Sequence, residues 1–274
     1  IWPDEAVELG FVKSSFLIKM SYWLEDFLHR KSDFIVVNSP GIKNFLTENK
    51  RVSEDKVAVV PNAADLEFSD KLQDFSLRNK MRWEGKTVVL YAGAMSIVYD
   101  FDLILEVAKE IKNPNILFVF VGDGRQRKVM EKKVKEEKLR NVIFLGAVPK
   151  IKLTEFVAAS DICIASLKDM RFLKYVYATK LMSYMAGKKP IILAMEGVSA
   201  QLVCGKAKAG LCFNPKDQAG VKQAILELAS DSAQREKLGQ AGYEYAREHF
   251  DSKKLARSYL DILSEIAIGR QTPR

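Results

Sequence analysis

Histidine is almost missing from this chain. Only His29 and His249 occur, far apart and both in helical surroundings, and neither has the cysteine or carboxylate spacing of a metal site. Cysteine is scarce as well. Cys163, Cys204 and Cys212 are odd in number, lack metal-like spacing and lie in or beside apolar runs, which predicts small buried hydrophobes in a reducing compartment. No apolar run approaches the ~20 residues that span a bilayer, and no signal-peptide pattern is present. The chain opens on Ile1 rather than Met. No internal repeat or low-complexity segment occurs. A complete glycine fingerprint is also lacking: "VGDG" (121–124) has no third glycine, and no acid ends a strand about 20 residues later, which argues against a nicotinamide oxidoreductase. A sugar-nucleotide epimerase would need more acids and histidines in its cleft. The run "RQRKVMEKKVKEEKLR" (125–140) mixes signs at helical spacing without interleaved aromatics, so it reads as a solvated helix face, not a nucleic-acid surface.

What is present is an ordinary globular composition over 274 residues, enough for two modest domains. Net charge is +8, from 43 Lys and Arg against 35 Asp and Glu. Lys150 to Pro190 holds eight basic residues (150, 152, 168, 171, 174, 180, 188, 189) against three acidic (155, 161, 169). Such a local excess favours an anionic small ligand or an anionic surface there.

Apolar runs and amphipathic stretches alternate from residue 86 onward. Strands are predicted at "KTVVLYAG" (86–93), "NILFVFVG" (115–122), "NVIFLG" (141–146), "DICIAS" (161–166) and "KPIILAM" (189–195). Helices are predicted over 102–111, up to about 139, over 152–159 and over 180–186. Continuous apolar strands between helices imply a parallel sheet covered on both faces, hence an α/β domain with ligands at the carboxyl ends of its strands. The first 65 residues offer a strong helix (14–31) and only two strands, "FIVVNS" (34–39) and "KVAVVPN" (56–62). Two strands cannot make an independent domain. Residues 1–65 therefore read as the last part of a first domain, 66–85 as a linker, 86–250 as a second domain and 251–274 as a helix returning toward the first. The helix at 14–31 carries Phe16, Tyr22, Trp23 and Phe27 beside Lys19, Arg30 and Lys31. It suits a membrane surface, but covering the rest of the first sheet is the favoured reading. His29, at this helix's end, reads as structural, a cation favoured by the helix dipole.

"YATKLMSYMAGKKPII" (177–192) concentrates the functional signals. Thr179 is placed to cap a short helix whose first residue is Lys180, a position where N–H groups and an ammonium would meet a phosphate. Lys168, Arg171 and Lys174, on the preceding loop, could add charge.

Seven motifs in order carry a family likeness: "VVPNAAD" (59–65), "YAGAMS" (91–96), "VGDG" (121–124), "LGAVP" (145–149), "SLKDMRF" (166–172), "ATKLMSYMAGKKPII" (178–192) and "EGVSAQLV" (196–203). Together they resemble the retaining family 4 glycosyltransferases of GT-B fold, nearest to the amino-sugar and deoxysugar transferases of surface-polysaccharide assembly. The likeness covers essentially the whole chain and implies two Rossmann-like domains, the first incomplete at its N-terminus. It also implies a cytoplasmic enzyme that can sit peripherally at the inner membrane face, with no metal and no cofactor. Such an enzyme would move a sugar from a nucleotide donor, UDP-linked in the first instance, to a saccharide or polyprenyl-linked acceptor. Lys180 would stabilise the leaving diphosphate. Gly93 and Ala94 would approach the phosphates, Gly122 and Gly124 would line the base pocket, and Val148 and Pro149 would pair backbone groups with the base. Lys174 would add positive charge, and Asp169 and Glu196 would reach the sugar. The chain departs from the family in four places. Ser183 stands where the family's helix "PsK-x-fEYMAaGkP" has the second acid of an E-x7-E pair, leaving one neutral hydroxyl for the ribose; Tyr175 stands where the first acid falls; Ala94 and Tyr99 replace an Arg and a Lys. These departures sustain the alternative of a non-catalytic scaffold or partner subunit.

Overall fold

A computed structural model of the chain describes residues 2–64, 66 and 76–271. Its main body is a six-stranded, all-parallel sheet in the order β5-β4-β3-β6-β7-β8. The strands are β3 (Thr87–Ala92), β4 (Ile116–Val121), β5 (Val142–Leu145), β6 (Ile162–Ser166), β7 (Ile191–Ala194) and β8 (Gly210–Phe213). Side chains alternate between two cores. Val88, Leu90 and Ala92 join one with Cys163 and Ala165, while Val89 and Tyr91 join the other with Phe118, Phe120 and Ile164. Both faces of the central strands are buried, as continuous apolar strands require. Two parallel strands, β1 (Ile35–Val37) and β2 (Val57–Val59), form a separate small sheet.

Helices α1 (Asp4–Glu8), α2 (Ser15–Lys31) and α3 (Pro40–Asn49) accompany the small sheet. Ser39 caps α3 by accepting from the Ile42 N–H at 3.2 Å. Around the large sheet run α4 (Ser76–Met81), α5 (Phe101–Glu110), α6 (Arg127–Glu136), α7 (Lys150–Ala159), α8 (Lys180–Ala186), α9 (Val198–Ala200), α10 (Gln218–Ser230), α11 (Ser232–His249) and α12 (Ser252–Gln271). Asp100, Asp217 and Asp231 cap α5, α10 and α11 through their carboxylates.

The stretch read as a linker lies partly outside the described residues. Within its described part, Trp83 is 1% exposed, and the Arg78 guanidinium donates to the Ala159, Trp83 and Lys86 carbonyls and pairs with Asp161 at 3.0 Å. Residues 76–85 thus pack onto the larger body.

Strand β8 and helix α11 do not stand out in the sequence. Gly239 and Gly242 weaken the helical pattern of α11, yet both serve close packing. A Cβ on Gly239 would lie 2.1 Å from the Lys188 carbonyl oxygen, and one on Gly242 2.9 Å from the Ala209 methyl. The cysteine expectation is corrected as well: Cys204 and Cys212 form a disulfide, with S–S 1.97 Å, joining a π-helical turn at Gln201–Lys206 to β8. Cys163 is the free, buried thiol, pushed up to about 12 by burial.

His29 does not supply the cation at the end of α2. Burial lowers its pKa, and Lys56 takes the place instead, donating to the His29 and Arg30 carbonyls at 3.0 and 3.2 Å. Along α2 only Glu25 is buried, ion-paired with Lys50; Phe16, Trp23 and Leu28 are more than half exposed. Among the described residues no helix is long and apolar enough to cross a membrane.

Candidate functional site

The strand order reverses between β3 and β6, and the chain makes that boundary open. Only Val89↔Ile162 and Leu90↔Cys163 pair across it before the strands part. The Ala92 backbone, left without a partner strand on this side, is satisfied from α8. Its N–H donates to the Tyr184 phenol oxygen at 2.9 Å, and its carbonyl accepts from the same hydroxyl at 3.3 Å. Tyr184 is fully buried, and burial holds its pKa well above 10. Such a boundary is where open α/β sheets bind ligands.

The loops after β3 and β4 close together over it. Gly93 N–H donates to the Val121 carbonyl at 2.9 Å and Met95 N–H to Asp123 at 2.8 Å; Gln126 N–H donates back to Met95 at 3.0 Å. Gly122 and Gly124 have φ of +141° and +152°, and a Cβ there would lie 2.0 and 2.5 Å from the carbonyl oxygens of Gly93 and Met95. Only glycine fits.

Lys180 opens α8, as expected, but does not reach outward. Its ammonium nitrogen is buried without a hydrogen-bond partner, 3.5 Å from the Tyr91 ring centroid and 3.7 Å from that of Tyr99. Gly93 leaves room for it: a Cβ there would stand 3.4 Å from the lysine Cε. Desolvation pulls the Lys180 pKa well below 10.5. Two magnitudes show why the rings do not prevent this. A desolvated cation–π contact contributes roughly 2 kcal/mol, whereas burying an unpaired charge costs several kcal/mol even after relaxation. Burial also raises the pKa of Tyr91 and Tyr99, so both face Lys180 as neutral phenols. Tyr99 is held in place from β6: it bridges Leu167, Lys168 N–H donates to Val98 at 2.9 Å, and Asp100 N–H to Ser166 at 2.9 Å. Tyr91 donates to the Ala94 carbonyl at 2.6 Å.

Thr179 is not the cap expected of it. Its backbone is already helical and its side chain makes no capping bond; the hydroxyl instead faces the Asn62 amide at 3.5 Å. Lys174 does not add free charge, because it pairs with Asp169 at 3.3 Å and Glu196 at 2.8 Å, and Asn214 donates to Glu196 at 2.9 Å. Asp169, Lys174 and Glu196 thus form one cluster beyond β6 and β7, distinct from the glycine loops around Lys180. Gly197 makes this possible with φ +85°, since a Cβ there would lie 2.2 Å from the Lys174 carbonyl oxygen. Val148 and Pro149 lie where β5 passes into α7, at the sheet's far edge, with Val148 half-buried. Ser183 is half-buried on α8.

Tyr175, at the place of the absent acid, packs its ring 5.0 Å from that of Phe45, and its carbonyl accepts from the Ser39 hydroxyl. Beside it a cavity of about 300 Å³ is lined by Asp4, Glu8, Tyr22, Arg171 and Tyr175. One oxygen of Asp4 accepts from the Tyr22 hydroxyl at 3.1 Å; the other is buried without a partner.

Residues 73–245 match the family of Glycosyl transferases group 1, and residues 9–68 match Glycosyltransferase Family 4. The chain belongs to the group 1 glycosyl transferases. A probable glycosyltransferase of Pseudomonas aeruginosa, WbjE, is 24% identical over 98% of this group 1 chain and 68% of its own length. The N-acetylgalactosamine-N,N'-diacetylbacillosaminyl-diphospho-undecaprenol 4-alpha-N-acetylgalactosaminyltransferase of Campylobacter jejuni is 21% identical over 92% of the chain and 66% of itself. HepE of Anabaena, solved in complex with UDP-glucose, superposes with a TM-score of 0.76 at 16% identity, covering 92% of this chain and 68% of that one. This group 1 chain spans about two thirds of the length of these relatives. At such identity the structural likeness shows the fold, which is GT-B.

Reading the sequence missed Tyr91, Tyr99 as an aromatic wall, Tyr184 and Asn214. Tyr91 and Tyr184 sit in runs that read simply as core. Tyr99 was legible only as a missing basic residue.

Proposed function

We propose that this chain holds the donor site of a retaining, metal-independent glycosyltransferase that takes a nucleotide-diphosphate sugar, UDP-linked in the first instance. The observation that carries the reading is an unpartnered lysine nitrogen at the strand-order reversal, set against two glycine loops whose backbone can approach a diphosphate. Lys180 supplies the cation for charge developing on the leaving diphosphate. In this reading Gly93 and Ala94 bring backbone to the phosphates, Gly122 and Gly124 border the base, Val148 and Pro149 meet its edge, and Thr179 and Ser183 offer hydroxyls. Asp169 and Glu196, released from Lys174, grip the sugar hydroxyls.

The acceptor, a saccharide or polyprenyl-linked saccharide, enters beside the cavity at Asp4 and Arg171. The Campylobacter relative's name, which contains a diphospho-undecaprenol acceptor, supports the lipid-linked class. HepE supports the UDP donor. The reading places the enzyme in the cytoplasm at the inner membrane face, where the exposed apolar residues of α2 and its flanking Lys19, Arg30 and Lys31 meet lipid.

A second reading, a GT-B-shaped partner with impaired donor binding, is favoured by Tyr175, whose ring is committed to packing, and by the neutral Ser183. Calorimetric titration with UDP, GDP and ADP separates the two. Saturable binding of one nucleotide, weakened at least about tenfold in Lys180→Ala as expected for a lost charge-assisted contact, supports the donor site. No binding by folded protein favours the partner.

A further inference from the structure

We infer that Tyr91 and Tyr99 are positioning residues that store Lys180 as an uncharged amine between their rings, so that binding a nucleoside diphosphate takes up one proton from solvent. The inference rests on the donor-site reading and adds a charge state and two residues to it.

The geometry is specific. The lysine nitrogen lies within 3.7 Å of both ring centroids and makes no hydrogen bond. Among the described residues, the titratable groups whose rings face it are the phenols of Tyr91 from β3 and Tyr99 from the loop after it, with Tyr184 one turn further along α8. Tyr91 and Tyr184 are buried and Tyr99 nearly so, and burial keeps all three protonated. A carboxylate in this place would fix the ammonium permanently; an aromatic face accepts N–H from the amine and the ammonium alike. The slot is closed by Gly93, the residue beside which the diphosphate is read to lie. An arriving diphosphate supplies the counter-charge that the slot lacks. The lone pair on nitrogen then takes a proton from solvent, R–NH2 + H⁺ → R–NH3⁺, with no other bond changed. Displaced UDP carries more negative charge than the intact sugar donor, because its terminal phosphate becomes ionisable. Charging of the lysine therefore favours the departing group over the ground state.

The test is calorimetry of the intact chain with UDP at pH 8, in three buffers of different ionisation enthalpy. At this pH the terminal phosphate of UDP, with pKa of about 6, is already ionised. The dependence of heat on buffer reports protons taken up. A positive uptake of up to about one proton per UDP is expected, together with an affinity that falls by up to about tenfold per pH unit where the free lysine is neutral and the bound one charged. Tyr99→Phe keeps the ring and the uptake. Tyr99→Leu opens the slot, charges the free lysine and lowers the uptake while UDP still binds, an effect that a merely structural role would not give. Lys180→Arg, always charged, takes up none.

UDP binding with no proton uptake, or undiminished uptake in Lys180→Arg, overturns the inference. The free protein gives an independent arm: carbon-labelled lysine spectra, with the Lys180 signal assigned from Lys180→Met. Titration of that signal below the exposed lysines supports the stored amine; titration among them overturns it. If no nucleotide binds, the donor reading falls and the proton coupling with it, whereas the free-state titration still decides the storage.

Discussion

At Lys180 the folded chain accepts an energetic cost. A buried polar atom without a partner destabilises a protein by about 1–3 kcal/mol, so Lys180→Met, which keeps the length and removes the amine, is expected to raise stability in urea by at least that much at pH 7. The sign with pH follows from proton counting. Between its depressed folded value and the ordinary 10.5, the unfolded chain holds a proton on Lys180 that the folded chain does not. Wild-type stability therefore rises with pH through that window, and the advantage of Lys180→Met shrinks as 10.5 is approached. An advantage that stays constant from pH 7 to 10.5 would show the lysine charged in the folded state. Lys180 itself was legible from its place at the head of a helix between two apolar strands. Its rings were not, because Tyr91 and Tyr99 come from β3 and its loop, about eighty residues earlier, and only the sheet order puts them together. Thr179 shows the opposite failure: its residue type suits a cap, but its helical backbone turns the hydroxyl away.

At the scale of elements, the site depends on how α8 and the two glycine loops complete a sheet that opens between β3 and β6. Tyr184→Phe keeps the packing and removes the hydroxyl to which the Ala92 N–H donates across the gap. A loss of about 1–3 kcal/mol is expected, with weaker nucleotide binding because Gly93 follows directly. Equal stability of the two proteins would mean that the gap closes or admits water. Gly122→Ala places a methyl against backbone that no rotamer relieves, at a φ hostile to alanine. A cost of about 3 kcal/mol or more is expected, the upper part of the range for single substitutions, read as a fall in the urea midpoint. The alternation of strands and helices from residue 86 to 195 was open to reading because period and composition agree there. Helix α11 was hidden by Gly239 and Gly242, which answer to neighbours on other elements. The vacancy left by the family's first acid was visible in the sequence, but not what fills it: Tyr175 spends its ring on Phe45 of α3 and joins the small sheet's helix to the larger body.

For the molecule as a whole, the question is which of its positive charges a nucleotide would sense. The run from 150 to 190 is one cluster in sequence but not in space. α8 leads away from the loop ends, so Lys188 and Lys189 stand at the start of β7, at the opposite, amino-terminal ends of the strands, with the Lys188 ammonium 4.2 Å from the Tyr243 ring centroid. Lys174 is neutralised by two carboxylates, and the Lys180 nitrogen is buried. Lys168 and Arg171 remain as the exposed cations on the loop after β6. Surface charge acts through solvent and is screened as the Debye length falls from about 10 Å at 0.1 M salt to about 3 Å at 1 M, whereas a buried contact is screened much less. Raising NaCl over that range is therefore expected to weaken UDP binding by no more than about tenfold, the share carried by the surface cations. The double variant Lys168→Ser with Arg171→Ser should flatten that dependence, and Lys188→Ser should leave it as it was. A steep dependence that survives the double variant would mean that the nucleotide is held by cations other than these. It would also move the site away from the strand-order reversal, because a contact to Lys180 in its aromatic slot is screened far less than one to a surface cation.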